Sequence, residues 1–152
     1  MTGAASQLLR GEAAAREWGA RALAPLLARR HGPAGALMTL DGPLGAGKST
    51  IARAMLRAAG VSGPLPSPTY TLIEPYSLPG LRFLHLDLYR LSDADELALL
   101  GLDELRAPGT IALVEWAARL PDALGPADMV VRLEHVNNEG GSARHVSWTV
   151  RG

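Results

Sequence analysis

Nine consecutive residues, Gly42-Pro43-Leu44-Gly45-Ala46-Gly47-Lys48-Ser49-Thr50, restrict this chain more than any other stretch. A short apolar run, Ala36-Leu37-Met38-Thr39-Leu40, precedes them, and the helix-favouring Ile51 to Ala59 follows. Strand, glycine-rich loop and helix in that order are the setting in which G-x-x-x-x-G-K-[ST] acts as a phosphate-binding P-loop. Glycines let successive N–H groups turn inward toward phosphate oxygens, and the next helix points its positive end at the same anion. Lys48 is then expected at the β- and γ-phosphates and the Ser49 hydroxyl on Mg²⁺. Fourteen of the fifteen basic residues are arginine, so Lys48 is the only lysine. It stands where a compact point charge is wanted rather than a planar fork. A turn that spelled the pattern by chance has no reason to hold it.

The 152 residues suit one domain with a real core, and no interior linker is long enough to divide it. Residues 1–11, small and polar, are expected to be poorly ordered, with the domain running over 12–152. The formal net charge is zero and no basic block stands out, which argues against binding nucleic acid by electrostatics alone. The absence of cysteine excludes a disulfide framework, a thiolate zinc site and a thiol nucleophile. No apolar run suggests a membrane span and no leader pattern opens the chain, so a cytoplasmic protein without membrane contact is expected.

Along the chain, Glu12 to Leu27 reads as a helix that Pro25 should kink or split. Gly60 is a natural stop for the helix after the P-loop. Val61 to Thr69 is too rich in Pro and Gly for regular structure, and it lies where a nucleotide-sensing switch would sit. Tyr70–Tyr76 and Leu81–Tyr89 flank a turn and form an expected antiparallel hairpin. In the second run Leu84, Leu86 and Leu88 share one face, and His85, Asp87 and Tyr89 the other. Ser92-Asp93-Ala94-Asp95 resembles a capping box for a helix reaching Leu100. Thr110 to Val114, ending in Glu115-Trp116, reads as a fully buried parallel strand. Met129–Glu134 and His145–Val150 are further strands, with a turn at Asn137–Gly141.

A P-loop site needs an acid near Mg²⁺ and a group that orients or deprotonates water. Glu115 and Asp87 end apolar strands, where open α/β sheets place ligands. Glu115 is taken as the metal ligand, directly or through water, and Asp87 as the base-like acid. On the residues alone the two roles are interchangeable, and the plainer alternatives are a strand-end acid and a hydrogen-bonded structural acid. Trp116, next to Glu115, is either core or a cover for the nucleotide. His31, His135 and His145 read as structural, and the adenine contacts are sought in the N-terminal helix and the Gly140–Arg144 turn.

Four segments occur in order: the P-loop, Ser67-Pro68-Thr69-Tyr70-Thr71-Leu72, His85-Leu86-Asp87-Leu88-Tyr89-Arg90-Leu91, and Leu113-Val114-Glu115-Trp116. Together they resemble the bacterial TsaE (YjeE) family, the small ATPase of the machinery that makes threonylcarbamoyladenosine in tRNA. The likeness runs from about Trp18 to Val150 and includes Glu96-Leu97 and Gly101-Leu102. It implies an α/β, P-loop NTPase-type three-layer fold, with a mixed, mainly parallel central sheet and antiparallel hairpin additions. It implies ATP and Mg²⁺ as cofactors, and hydrolysis that is slow alone and coupled to TsaD-like and TsaB-like partners. The product is the threonylcarbamoyl group on adenosine 37 of tRNAs that read codons beginning with adenine, the tRNA being met only through the complex. By motif position, Ser49 and Glu115 hold the metal, Lys48 and Asp87 are the catalytic pair, and Thr69 senses the γ-phosphate. The nucleotide-binding set is Gly42, Gly45, Ala46, Gly47, Lys48, Ser49, Thr50, Thr69 and Trp116. Ser49 replaces the family's usual Thr, Leu86 its usual Phe, and Ala13-Ala14-Ala15 stands where a threonine commonly opens the first helix.

Two rival functions are weaker. A P-loop small-molecule kinase needs an arginine-bearing lid, whereas Arg82, Arg90 and Arg106 are scattered singly. A GTP switch needs an N-K-x-D pattern, which a chain with its single lysine at position 48 does not contain.

Overall fold

The computed structural model describes residues 3–101, 106–120, 123–136 and 143–151. The chain runs β1 (Gly3–Arg10), α1 (Gly11–Arg29), β2 (Ala36–Asp41), α2 (Lys48–Ala59), α3 (Pro68–Thr71), β3 (Ile73–Leu78), β4 (Leu81–Asp87), α4 (Ala94–Leu99), β5 (Thr110–Glu115), a 3₁₀ turn at Ala117–Arg119, β6 (Met129–Val136) and β7 (Ala143–Val150). The sheet has the order β1-β7-β6-β2-β5-β4-β3. β6, β2, β5 and β4 are mutually parallel. β3 adds to one side and β7 and β1 to the other, all antiparallel. This is a P-loop NTPase fold, the mixed α/β architecture that the family resemblance implies.

Each sheet face buries its own cluster. Met38, Leu40, Phe83, Ile111, Leu113 and Val131 pack under α1 and α2. Leu37, Leu84, Leu86, Ala112 and Val114 pack under Leu97 of α4 and Leu120 and Leu124. Strand side chains alternate faces, so β2 and β5, covered on both, carry mainly apolar residues and are buried along their length, Asp41 alone being half-buried. Within α1 the buried positions Ala15, Trp18, Gly19, Ala22, Leu23 and Leu26 recur at helical spacing. At Gly19 the backbone of α1 comes close to α2. A Cβ there would lie 3.2 Å from both Met55 Cγ and Met55 N.

Three expectations change. Residues 3–10 are a strand, each position paired with β7 from Gly3↔Val150 to Arg10↔Ala143. Edge pairing satisfies backbone groups whatever the side chains, and the fully buried Leu9 anchors the strand. Pro25 does not split the helix in two but sits inside one continuous helix. It removes a single backbone bond, and the apolar stripe carries on across it through Leu23 and Leu26. Residues 68–71 form one helical turn, because Pro68 suits the first helical position and the Ser67 hydroxyl accepts from Thr69 N.

The β3–β4 hairpin closes at Leu78↔Leu81 with Gly80 at φ 70°. Asp93 caps α4, accepting from Glu96 N at 3.0 Å. Asn137–Gly141 and residues 102–104 lie outside the described residues.

Candidate functional site

The parallel register assembles the site. β4 and β5 pair Asp87 with Glu115, and β2 and β5 pair Leu40 with Glu115. Both acids therefore stand at the same carboxyl edge of the sheet, beside the loop that leaves β2. Gly45 (φ 79°) and Gly47 (φ 100°) take left-handed backbone, a conformation open to glycine at no steric cost. The loop then enters α2 directly, with Ile51 N donating to Gly47 O at 3.0 Å.

Lys48 is 5% exposed. Its Nζ donates to Gly42 O at 2.7 Å and Pro43 O at 3.0 Å, and lies 4.2 Å from the centre of the Trp116 ring. Burial pushes this ammonium below the ordinary lysine value, while Glu115, Asp87 and Asp41 pull it back up. The Ser49 hydroxyl donates to Glu115 Oε2 at 2.7 Å. His85 Nε2 lies 2.7 Å from the same oxygen, and both residues are buried. Asp87 Oδ2 accepts from Thr69 Oγ1 at 3.2 Å, and its Oδ1 from Tyr89 N at 2.9 Å. The Thr69 hydroxyl also meets Ser67 Oγ at 2.8 Å, which ties the Ser-Pro-Thr turn to the acid.

These groups face a cleft of about 380 Å³ lined by Gly45, Gly47, Lys48, Ser49, Thr50, Thr69, Asp87, Glu115 and Trp116. Of the residues expected to bind the ligand, Gly42 and Ala46 stand apart from its walls. Gly42 supplies the carbonyl that holds Lys48. A Cβ on Gly42 would meet Leu133 O at 2.6 Å. Ala46 is buried in the core, its N–H given to Pro43 O. Leu72 and Trp116, the two non-glycine residues with positive φ among those described, flank the cleft. The carbonyl of Leu72 accepts from Asp87 N at 3.0 Å. Strained backbone of this kind persists where surrounding contacts over-determine it. Trp116 is braced by Tyr89, ring centres 4.9 Å apart.

One neighbour has no signal in the sequence pattern, and a second, Arg144, is known there only as the last residue of the turn expected to read adenine. Alternation along β4 puts His85 on the polar face with no role, and only the pairing of β4 with β5 shows that it reaches Glu115. Arg144 lies with its guanidinium against the P-loop, so close that a Cβ on Gly47 would meet Nη1 at 2.5 Å. Burial lowers its pKa from the ordinary arginine value. Residues 140–142 of the expected adenine-reading turn lie outside the described residues.

The donor set fits a phosphate chain carrying a divalent cation. Gly45 and Gly47 of the loop and the Lys48 ammonium line a cleft that also holds a hydroxyl and two carboxylates. Among the described residues no cluster of three or more His, Asp or Glu side chains forms a metal cage. Magnesium held by one or two protein oxygens, with phosphate and water completing its shell, suits such a site. Among the described residues no helix is long and apolar enough to cross a membrane.

Residues 11–146 match the family described as "Threonylcarbamoyl adenosine biosynthesis protein TsaE". The chain is 37% identical over 115 residues to the tRNA threonylcarbamoyladenosine biosynthesis protein TsaE of Haemophilus influenzae, covering 76% of this chain and 73% of that protein. Its identity to the Bacillus subtilis protein of the same name is 33% over 132 residues, covering 87% and 80%. The crystal structure of Bacillus subtilis YdiB superposes with a TM-score of 0.70 over 100% of this chain and 88% of that one, at 22% identity, a likeness of fold. The chain belongs to the TsaE family of threonylcarbamoyladenosine biosynthesis proteins.

Proposed function

We propose that this protein is a Mg²⁺-dependent ATPase of the cytoplasm, required for forming the threonylcarbamoyl group on tRNA adenosine and acting with TsaD-like and TsaB-like proteins. The observation that carries the reading is the Ser49–Glu115 hydrogen bond of 2.7 Å in the same cleft as Lys48. It joins the first turn of the P-loop helix to the acid that closes the adjoining buried strand. Family membership supports the pathway, and the site supports the chemistry.

In this reading Ser49 and Glu115 would hold a magnesium ion, which would supply positive charge to offset that of the phosphates. Gly45 and Gly47 turn backbone N–H groups of the loop to the phosphates, and Lys48 exchanges its bonds to Gly42 O and Pro43 O for phosphate oxygens. Asp87 orients the attacking water and accepts its proton. Thr69, hydrogen-bonded to Asp87, passes the presence of the γ-phosphate to the Ser-Pro-Thr turn. Trp116 covers the phosphate end.

Calorimetric titration with Mg·ATP tests binding. Phosphate release from ATP and GTP, with and without acceptors, separates hydrolysis from a kinase or a GTP switch. Co-purification in ATP tests the TsaD-like and TsaB-like partners. No heat at millimolar nucleotide, even with those partners present, would overturn the reading.

A further inference from the structure

We propose that His85 is a positioning residue that sets the magnesium affinity of the site by holding Glu115 in place. The inference rests on the ATPase reading and goes beyond it, since His85 is assigned there neither to phosphate nor to metal. β4 and β5 pair His85 with Leu113 and Asp87 with Glu115, so His85 and Glu115 are diagonal neighbours on adjacent parallel strands. The imidazole is wholly buried on the face that also carries Phe83 into the core. A residue needed only to fill that space would be apolar, because a buried polar ring is unfavourable unless hydrogen-bonded. The hydrogen bond His85 makes is to Glu115, at 2.7 Å.

The bonding pattern gives the ring its role. Ser49 Oγ–H and His85 Nε2 converge on Oε2 of Glu115. An ionised Glu115 only accepts, so Nε2 carries the proton and donates. Nδ1 is buried with no partner among the described residues, which a bare ring nitrogen tolerates better than a stranded N–H. Two donors on one oxygen fix the carboxylate, and among the described residues no donor reaches Oε1. That oxygen is left for a cation or its water, while Ser49 keeps its proton on Oε2 and turns its own lone pairs outward. No rearrangement of Glu115 is then needed when metal arrives. Partners of this kind behind a metal-binding carboxylate are typically worth about 10–100-fold in metal affinity.

Two substitutions of similar length decide the question: His85→Gln, whose amide can donate to Glu115, and His85→Met, which cannot. Mg²⁺ is titrated at saturating ATP, and ATP binding is measured separately in EDTA. The expected result is that His85→Met raises the half-saturating Mg²⁺ concentration about 10–100-fold. ATP binding in EDTA should stay within about twofold, and His85→Gln should recover most of the loss. Equal losses in both variants, unchanged Mg²⁺ dependence in His85→Met, or an equal drop in EDTA would overturn the proposal while leaving the ATPase reading intact. If His85→Met does not fold, a folded His85→Gln that has lost Mg²⁺ affinity overturns it too. A wild-type protein without Mg·ATP binding overturns both.

Discussion

Ser49 and Glu115, sixty-six positions apart in sequence, meet side chain to side chain at 2.7 Å. One lies in the first turn of α2 and the other ends β5, so this bond closes only when the P-loop strand and its parallel neighbour are in register. Glu115→Gln keeps the shape and removes the charge. The expected outcome is a folded protein whose nucleotide binding no longer strengthens with Mg²⁺, measured as affinity with and without the metal. A full Mg²⁺ response in that variant would remove Glu115 from the metal site.

Lys48→Ala should lower ATP affinity by about 100-fold or more, since charge-assisted bonds to phosphate are among the strongest the loop makes. The fold should survive, because burial already disfavours the Lys48 ammonium. Calorimetry and a thermal melt on the same preparation check both halves. Undiminished ATPase activity in that variant contradicts the site assignment.

Asp87→Asn should cut turnover by about 100-fold or more while changing nucleotide affinity little, the range expected for losing a positioned base. Asn retains an oxygen for Thr69 Oγ1 or for Tyr89 N, so the turn stays tied. Single-turnover hydrolysis beside equilibrium binding separates the two. If rate and affinity fell together, Asp87 would have no catalytic role.

Asp128 is a structural acid at the opposite edge of the sheet. Its carboxylate accepts from Leu37 N at 2.8 Å and from Arg151 at 3.0 Å, and it is buried. Asp128→Ala strands the start of β2 and should destabilise the protein by about 2–3 kcal/mol. Urea unfolding measures this, and Mg·ATP affinity in the folded fraction should be unchanged.

Asp41, at the end of β2, has its pKa raised, chiefly by burial, with Arg132 and Lys48 opposing. The folded state therefore holds this proton more tightly than the unfolded chain. Stability contributed by the protonated acid is lost as pH rises from the ordinary aspartate value of 3.8 through the raised folded pKa. Asp41→Asn cannot ionise, so its stability relative to the wild type should improve across that window and remain better at neutral pH. Paired thermal melts at acid and neutral pH read the difference, and a gap that narrows with rising pH contradicts the assignment.

The chain order of residues determined the loop, the buried strands and the two acids. Gly45, Gly47 and Lys48 act through local backbone conformation and charge, and the apolar β2 and β5 announce burial on both faces. A local pattern suffices for these, because their cause lies within a few residues. Only the tertiary structure decided that residues 3–10 complete the sheet, since an edge strand is held by pairing with β7 more than by its own side chains. The same holds for Pro25, tolerated because α1 packs on α2. It also holds for His85 and Arg144, whose neighbours Glu115 and Gly47 come from distant segments. Strand register brings these pairs within a few ångströms, and register is a property of the assembled sheet that no single stretch of sequence contains.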